Sequence, residues 1–206
     1  AAPTPAAPTP AAPTPAAPTP AAPLQGAARA AAVEAVKKSA VGDNPIRRRN
    51  QMIVSLYSMR QPQEVALGVL NFVAELMPRA VILVVKNREV VAERARLNQG
   101  DDKPSDPLGY TVPLDGSTQL QEVVDTGRAY MGELRDAMLK QHLLGDIGSP
   151  TADISLLLPV RNNNKTVFII YADYGSVAAG NVSKGLLEMV AEEAGHVLEK
   201  IMSRSQ

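Results

Sequence analysis

Two pairs of apolar runs, each joined by a short polar turn, constrain this chain more than any other feature. Residues 80–85 (AVILVV) lead into Lys86-Asn87-Arg88-Glu89 and then Val90-Val91. Residues 154–160 (ISLLLPV) lead into Arg161-Asn162-Asn163-Asn164-Lys165 and then residues 166–172 (TVFIIYA). Dense β-branched and aliphatic side chains favour extended backbone, and the polar turns between them close hairpins. Two hairpins require an antiparallel sheet. Residues 92–97 alternate Ala92, Arg94 and Arg96 with Glu93, Ala95 and Leu97, so the second strand is expected to be half exposed. Residues 110–114 read as a short strand whose Pro113 suits an edge or a bulge, and residues 129–132 read as another.

Helical periodicity surrounds these runs. Asn44-Pro45 is an N-cap with proline in the first turn, and the helix it opens, over about 45–60, places Ile46, Ile53, Leu56 and Tyr57 near one face. Gln61-Pro62 opens a second helix, apolar around most of its circumference, that stops before Pro78. Ser117 or Thr118 caps a short helix ended by Gly127, and Thr118 with Gln121 forms a capping-box pattern. Residues 134–145 read as a short helix or an ordered loop. From near Asn181, Leu186, Leu187, Val190, Ala194, Val197, Leu198 and Ile201 recur at helical spacing. Gly185 and Gly195 interrupt that helix, and close approach of another helix is their expected use. The predicted class is therefore α+β: a central antiparallel sheet of five to six strands, with the N- and C-terminal helices packed on one face.

The start of the chain is of another kind. Residues 1–23 are four copies of Ala-Ala-Pro-Thr-Pro followed by Ala21-Ala22-Pro23 and hold nine of the 17 prolines. With no charge and no large apolar side chain, this tract cannot offset the entropy of ordering and reads as a disordered, semi-rigid linker. Residues 24–44 are a helical or flexible lead-in, and residues 45–206 the folded domain. The first methionine is Met52, which suggests the C-terminal part of a longer protein cut within an interdomain linker.

Charge and composition exclude several functions. Lys and Arg total 21, as do Asp and Glu, but residues 24–60 carry seven basic against two acidic side chains and residues 61–206 the reverse excess. Zero net charge, and three consecutive arginines without aromatics between them, argue against specific nucleic-acid binding. Apolar runs are too short for a transmembrane segment. The chain has no cysteine, hence no disulfide, thiolate metal site or cysteine nucleophile. Ser117 and Ser155 have no His–Asp arrangement, and no glycine-rich phosphate loop occurs, so no enzymatic activity is expected. His142 and Asp146, near Glu133 and Asp136, have no distinctive metal spacing and read as a solvated helix face. His196 lies within reach of Glu192 along the last helix.

Taken in order, Arg79-Ala80-Val81-Ile82-Leu83-Val84, Val112-Pro113-Leu114, Ser117, Leu120, Val123-Val124, Gly127, Tyr130-Met131-Gly132, Leu157-Leu158-Pro159-Val160 and Ile170-Tyr171-Ala172-Asp173 resemble a GAF domain, the PAS-like sensory module. More narrowly, the sequence is similar to the C-terminal GAF-like domain of bacterial PATAN-type regulatory proteins. The resemblance spans about residues 46–203. It implies a cytoplasmic, non-catalytic signalling module whose first and last helices pack together, often as a dimerisation surface, and whose other sheet face is covered by loops and a short helix. The Asn-Lys-Phe-Asp-Glu signature of cyclic-nucleotide binders is absent, no cysteine is present for a bilin, and only His142 and His196 could ligate haem. No cofactor is therefore expected.

The expected partners are a second copy of the chain or a neighbouring regulatory domain. The interface would use Arg47, Arg48, Ile53, Tyr57, Leu187, Val190, Val197, Leu198 and Ile201. A small-molecule ligand is the alternative, in a pocket edged by Arg94, Tyr110, Ser117, Tyr130, Tyr171 and Asp173. Tyrosine would supply an apolar body with a polar tip, and arginine would pair with an anion. A third possibility is an adaptor that binds an anionic surface through Arg47, Arg48 and Arg49.

Overall fold

The computed structural model describes residues 44–97, 108–116, 118–150 and 153–204. The repeat, the lead-in, Ser117 and most of the polar loop at 98–109 lie outside the described residues. The unit beginning at Asn44 contains all the described elements.

Asn44 caps the first helix, α1 (Pro45–Ser58), its Oδ1 accepting from the Ile46 amide at 2.9 Å. Gln61-Pro62 forces extended backbone after it and starts α2 (Pro62–Leu76). The Glu64 carboxylate folds back to accept the amides of Arg60 and Gln61 at 2.7 and 3.1 Å. These backbone hydrogen bonds hold its pKa below the ordinary carboxylate value.

The chain then runs through β1 (Arg79–Lys86), β2 (Glu89–Leu97), β3 (Thr111–Pro113), α3 (Thr118–Thr126), β4 (Tyr130–Gly132), α4 (Ala137–Ile147), β5 (Ser155–Asn162), β6 (Lys165–Asp173) and α5 (Lys184–Arg204). The six strands form one antiparallel sheet in the order β3-β2-β1-β6-β5-β4. The β5–β6 hairpin closes on Asn163-Asn164, both at positive φ (47° and 65°). This is what a two-residue turn matched to strand twist demands, and asparagine tolerates it.

Both faces of the sheet are buried, which explains why β1, β5 and β6 read as continuous apolar runs rather than alternating ones. Ala80, Ile82, Leu156, Leu158, Val160, Phe168, Ile170 and Ala172 face the helices, packing with Leu56, Val69, Val73, Leu187, Val190, Ala194 and Leu198. Val81, Leu83, Val90, Ala92, Leu157, Ile169 and Tyr171 face the other way, under Leu120 and Val123 of α3 and Leu139, Leu143 and Ile147 of α4.

Gly195 does not admit another helix. It lets α5 lie directly on β5: a Cβ there would overlap the backbone carbonyl oxygen of Arg161, whereas a Cβ on Gly185 would meet nothing within 4 Å. Gly185→Ala should therefore stabilise the fold by about 1 kcal/mol through helix propensity. Gly195→Ala should destabilise it by at least about 2 kcal/mol, because backbone cannot yield as a side chain does. Urea unfolding of the two variants should give opposite signs.

Candidate functional site

The site is built where β1 begins and β6 ends. Leaving α2, the chain enters β1 at Arg79, whose Cα partner across the sheet is Asp173. Both side chains are buried, Asp173 fully. The guanidinium grips the carboxylate with two parallel bonds, Nε to Oδ1 at 2.6 Å and Nη2 to Oδ2 at 2.7 Å. Its Nη1 donates to the carbonyls of Ile147 at 2.5 Å and Gly148 at 2.8 Å, at the C-terminal end of α4. Asp173 also accepts the Gly175 amide on Oδ1 at 2.7 Å and the Tyr171 hydroxyl on Oδ2 at 2.5 Å. Ser155 Oγ lies 3.4 Å from that hydroxyl. A buried ion pair repays its desolvation only when the remaining donors and acceptors are used. Here the carboxylate takes four hydrogen bonds and the guanidinium gives four.

Tyr171, Leu157 and Tyr130 stand in one row across the sheet, continued by Val81 and Ala95. Tyr130 donates its hydroxyl to the Glu133 carbonyl at 2.9 Å. Tyr110 stacks on His142 of α4, with ring centroids 5.6 Å apart and planes 11° from parallel. Asp136 starts α4, its Oδ1 accepting the Leu139 amide at 3.0 Å. Its Oδ2 is buried and meets no donor among the described residues.

Of the expected pocket residues, Tyr171 and Asp173 meet in the buried network, while Tyr110 and Tyr130 pack around the same face. Ser117 lies outside the described residues. Arg94 is a correction. The β1–β2 register slips between Ile82 and Leu83, so Ile82 pairs with Arg94 and Leu83 with Ala92, leaving Glu93 as the extra residue. This bulge turns Arg94 to the helix-covered side, away from Tyr171. There it borders a groove of about 730 Å³ with Leu67, Val84 and Val91. His142 engages Tyr110 rather than a solvated face. His196 Nδ1 sits 4.0 Å from Glu193 Oε2. Arg79 was not among the expected site residues, and its place directly after Pro78 at a strand start was the available signal.

The expected interface also needs correction. Leu187, Val190, Val197 and Leu198 are buried in the domain's own core, because they are the stripe by which α5 covers the sheet. Arg47 and Tyr57 are exposed, and Arg48, Ile53 and Ile201 are half-buried. The Tyr57 hydroxyl donates to Glu193 at 2.7 Å, and Arg49 reaches Asn50 and the Met189 sulfur. Exposed apolar side chains on α1 and α5 outside the expected interface are Val54 (72% exposed), Ile46 (57%), Met189 (46%) and Met202 (44%).

The sequence matches no family model and no curated protein. Its fold, however, is that of GAF domains. A segment of a methyl-accepting chemotaxis protein superposes with a TM-score of 0.57 at 13% identity, over 76% of this chain and 99% of that one. The GAF domain of an Acinetobacter phosphoenolpyruvate-protein phosphotransferase gives 0.54 at 11%, over 77% and 94%. The phycocyanobilin-bound GAF domain of a cyanobacterial phytochrome gives 0.57 at 11%, over 79% and 98%.

Burial, then the carboxylate of Asp173, raises the pKa of the Tyr171 phenol far above its ordinary value. The folded state therefore keeps a proton that the unfolded chain releases near pH 10. The associated stability is complete below about pH 10 and is lost as pH rises above it, by about 1.4 kcal/mol per unit. Urea unfolding from pH 9 to 12 should show a shallower alkaline loss for Tyr171→Phe than for the native chain, and equal slopes would contradict this account. Asp173→Asn, which strands the guanidinium, should cost about 3–5 kcal/mol at neutral pH.

Proposed function

We propose that this domain is a non-catalytic regulatory module of a bacterial signalling protein that works by self-association through the outer face of α1 and α5. The observation that carries this reading is the concentration of exposed apolar side chains there: Ile46, Val54 and Tyr57 on α1, and Met189 on α5. Large apolar side chains left exposed on two neighbouring helices are candidates for association. Charge supports the same partner. Within α1, Arg47, Arg48 and Arg49 stand with no acidic residue, whereas α5 carries Glu188, Glu192, Glu193 and Glu199 against Lys184, Lys200 and Arg204, so its middle is acidic and its ends basic. A two-fold related copy can set each basic helix beside the other's acidic one, as an isologous interface requires. The fold shared with chemotaxis and phosphotransferase proteins fits a regulatory role. Sedimentation of the 206-residue chain from about 1 to 100 µM should give a dimer. Ile46→Glu with Val54→Glu should give a monomer of unchanged melting temperature. A native chain that stays monomeric at the highest concentration rejects the proposal.

A second reading, small-molecule sensing beneath α4, is favoured by Asp136. Its buried Oδ2 without a described donor represents roughly 1–3 kcal/mol of unrecovered desolvation, which a ligand N–H or O–H would supply. Native mass spectrometry of the purified chain should then show an added mass that is lost in Asp136→Asn. A bare chain mass, with no thermal shift across a nucleotide and metabolite panel, rejects this reading.

A further inference from the structure

Along one flank of α5 a groove of about 500 Å³ runs between that helix and the connection 127–129, which joins α3 to β4. Its floor is β5, through Leu158 and Pro159. Strand β4 pairs with β5 only at Ser155, Leu156 and Leu157. Beyond them the edge of β5 has no strand beside it among the described residues, and the groove takes that place. Lys184 ties the two walls together, its Nζ donating to the Ala129 carbonyl at 3.0 Å.

The walls carry opposite charge. Glu188, Glu192 and Glu199 recur at helical spacing and line the α5 side. Met189 and Glu193, one position further on, turn to α1 instead. Arg128 and Arg161 line the groove from the connection and from β5. Among the described residues no ion pair crosses from these arginines to these glutamates. Glu188 meets Lys184 of its own helix at 3.6 Å, while Arg128, Glu192 and Glu199 have no charged partner there.

Arg161 is the most constrained of the group. Gly127 sits at φ 64°, and a Cβ on it would come within 2.6 Å of the Arg161 guanidinium carbon. Glycine leaves the room in which the guanidinium lies at the end of α3. Its Nη2 donates to the Asn164 carbonyl at 2.6 Å. Its Nε is buried and meets no acceptor among the described residues. A guanidinium offers five donors in a planar fork. A fixed, half-buried cation is therefore left with most of its hydrogen-bonding capacity unused, beside a groove whose other wall is acidic.

We propose that this groove binds a zwitterionic α-amino acid with an apolar side chain, its carboxylate on Arg161 and Arg128 and its ammonium on Glu192 and the glutamates beside it. A ligand of one sign would satisfy one wall and be repelled by the other, whereas a zwitterion makes charge-assisted hydrogen bonds to both. Leu158, Pro159 and Ala191 supply the apolar surface for the side chain. The proposal rests on neither reading above. The groove is on the helix-covered side of the sheet, whereas α4 and Asp136 lie on the other.

Titration of L-leucine into the isotope-labelled 206-residue chain, followed by NMR, tests this. Saturable shifts should appear at Gly127, Arg128, Gly195 and His196, with a Kd of about 0.1–5 mM. L-leucinamide lacks the carboxylate and N-acetyl-L-leucine lacks the ammonium, so each should bind at least about tenfold more weakly. Arg161→Gln should weaken leucine by a similar factor. Arg161 is packed in place, so Arg128→Gln and Glu192→Gln, both on exposed side chains, test the two walls without disturbing the fold. Each should weaken leucine several-fold at unchanged melting temperature. No saturable shift at about 50 mM L-leucine overturns the proposal, as do shifts confined to α4, which would favour the site at Asp136. Either analogue binding as tightly as leucine overturns it too, and so does undiminished binding by both exposed variants.

Discussion

A sheet buried on both faces leaves its polar groups few places to go, and the Arg79–Asp173 pair is where this fold resolves that constraint. Strands β1, β5 and β6 carry apolar side chains on both surfaces. Their ends must still connect to helices on one side and to α4 on the other. At the junction a single guanidinium satisfies a carboxylate and two helix-terminal carbonyls. Lysine has one nitrogen and could not do so; the planar fork of arginine can. The carboxylate in turn fixes Tyr171 in the core of the second face and Gly175 at the exit from β6. The end of α4 and the start of the β6–α5 connection thus meet at one interaction.

The legible parts of the fold are those whose signal is local. Dense apolar runs and polar turns specify the hairpins, and Asn163-Asn164 supplies the positive φ that its two-residue turn needs. Asn44-Pro45 and Gln61-Pro62 mark helix starts within a residue or two. What was not legible depends on distant partners. Arg79 and Asp173 are 94 residues apart, and nothing near either announces the other. The register slip at Glu93 is equally silent: alternation by twos puts Arg94 on the same side as Ala92, and only the pairing with β1 reveals the extra residue. The α5 stripe failed for a third reason. Amphipathic spacing identifies a face that wants burial, but not whether the cover is the protein's own sheet or another molecule. Here it is the sheet, and the exposed apolar residues include Val54 and Met189, which follow no strong pattern.

The charge separation in the sequence also acquires a structural sense. The basic start of α1 lies against α5, where Arg49 reaches Met189 and Tyr57 donates to Glu193. These bonds are exposed, and exposed charge contacts contribute little to stability. What holds α1 down is apolar: Leu56 is fully buried, with Met52 and Met59 packed beside it. The charges therefore contribute little to whether the helix folds.

The two faces of the sheet are not independent, because the same strands serve both. In β6, Ile170 and Ala172 pack under the helices while Ile169 and Tyr171 pack under α3 and α4, on alternating sides of one backbone. Close-packed interiors do not deform continuously; they hold one arrangement or switch to another. Repacking α3 or α4 against Ile169 and Tyr171 is therefore felt by Ile170 and Ala172 through the backbone of β6.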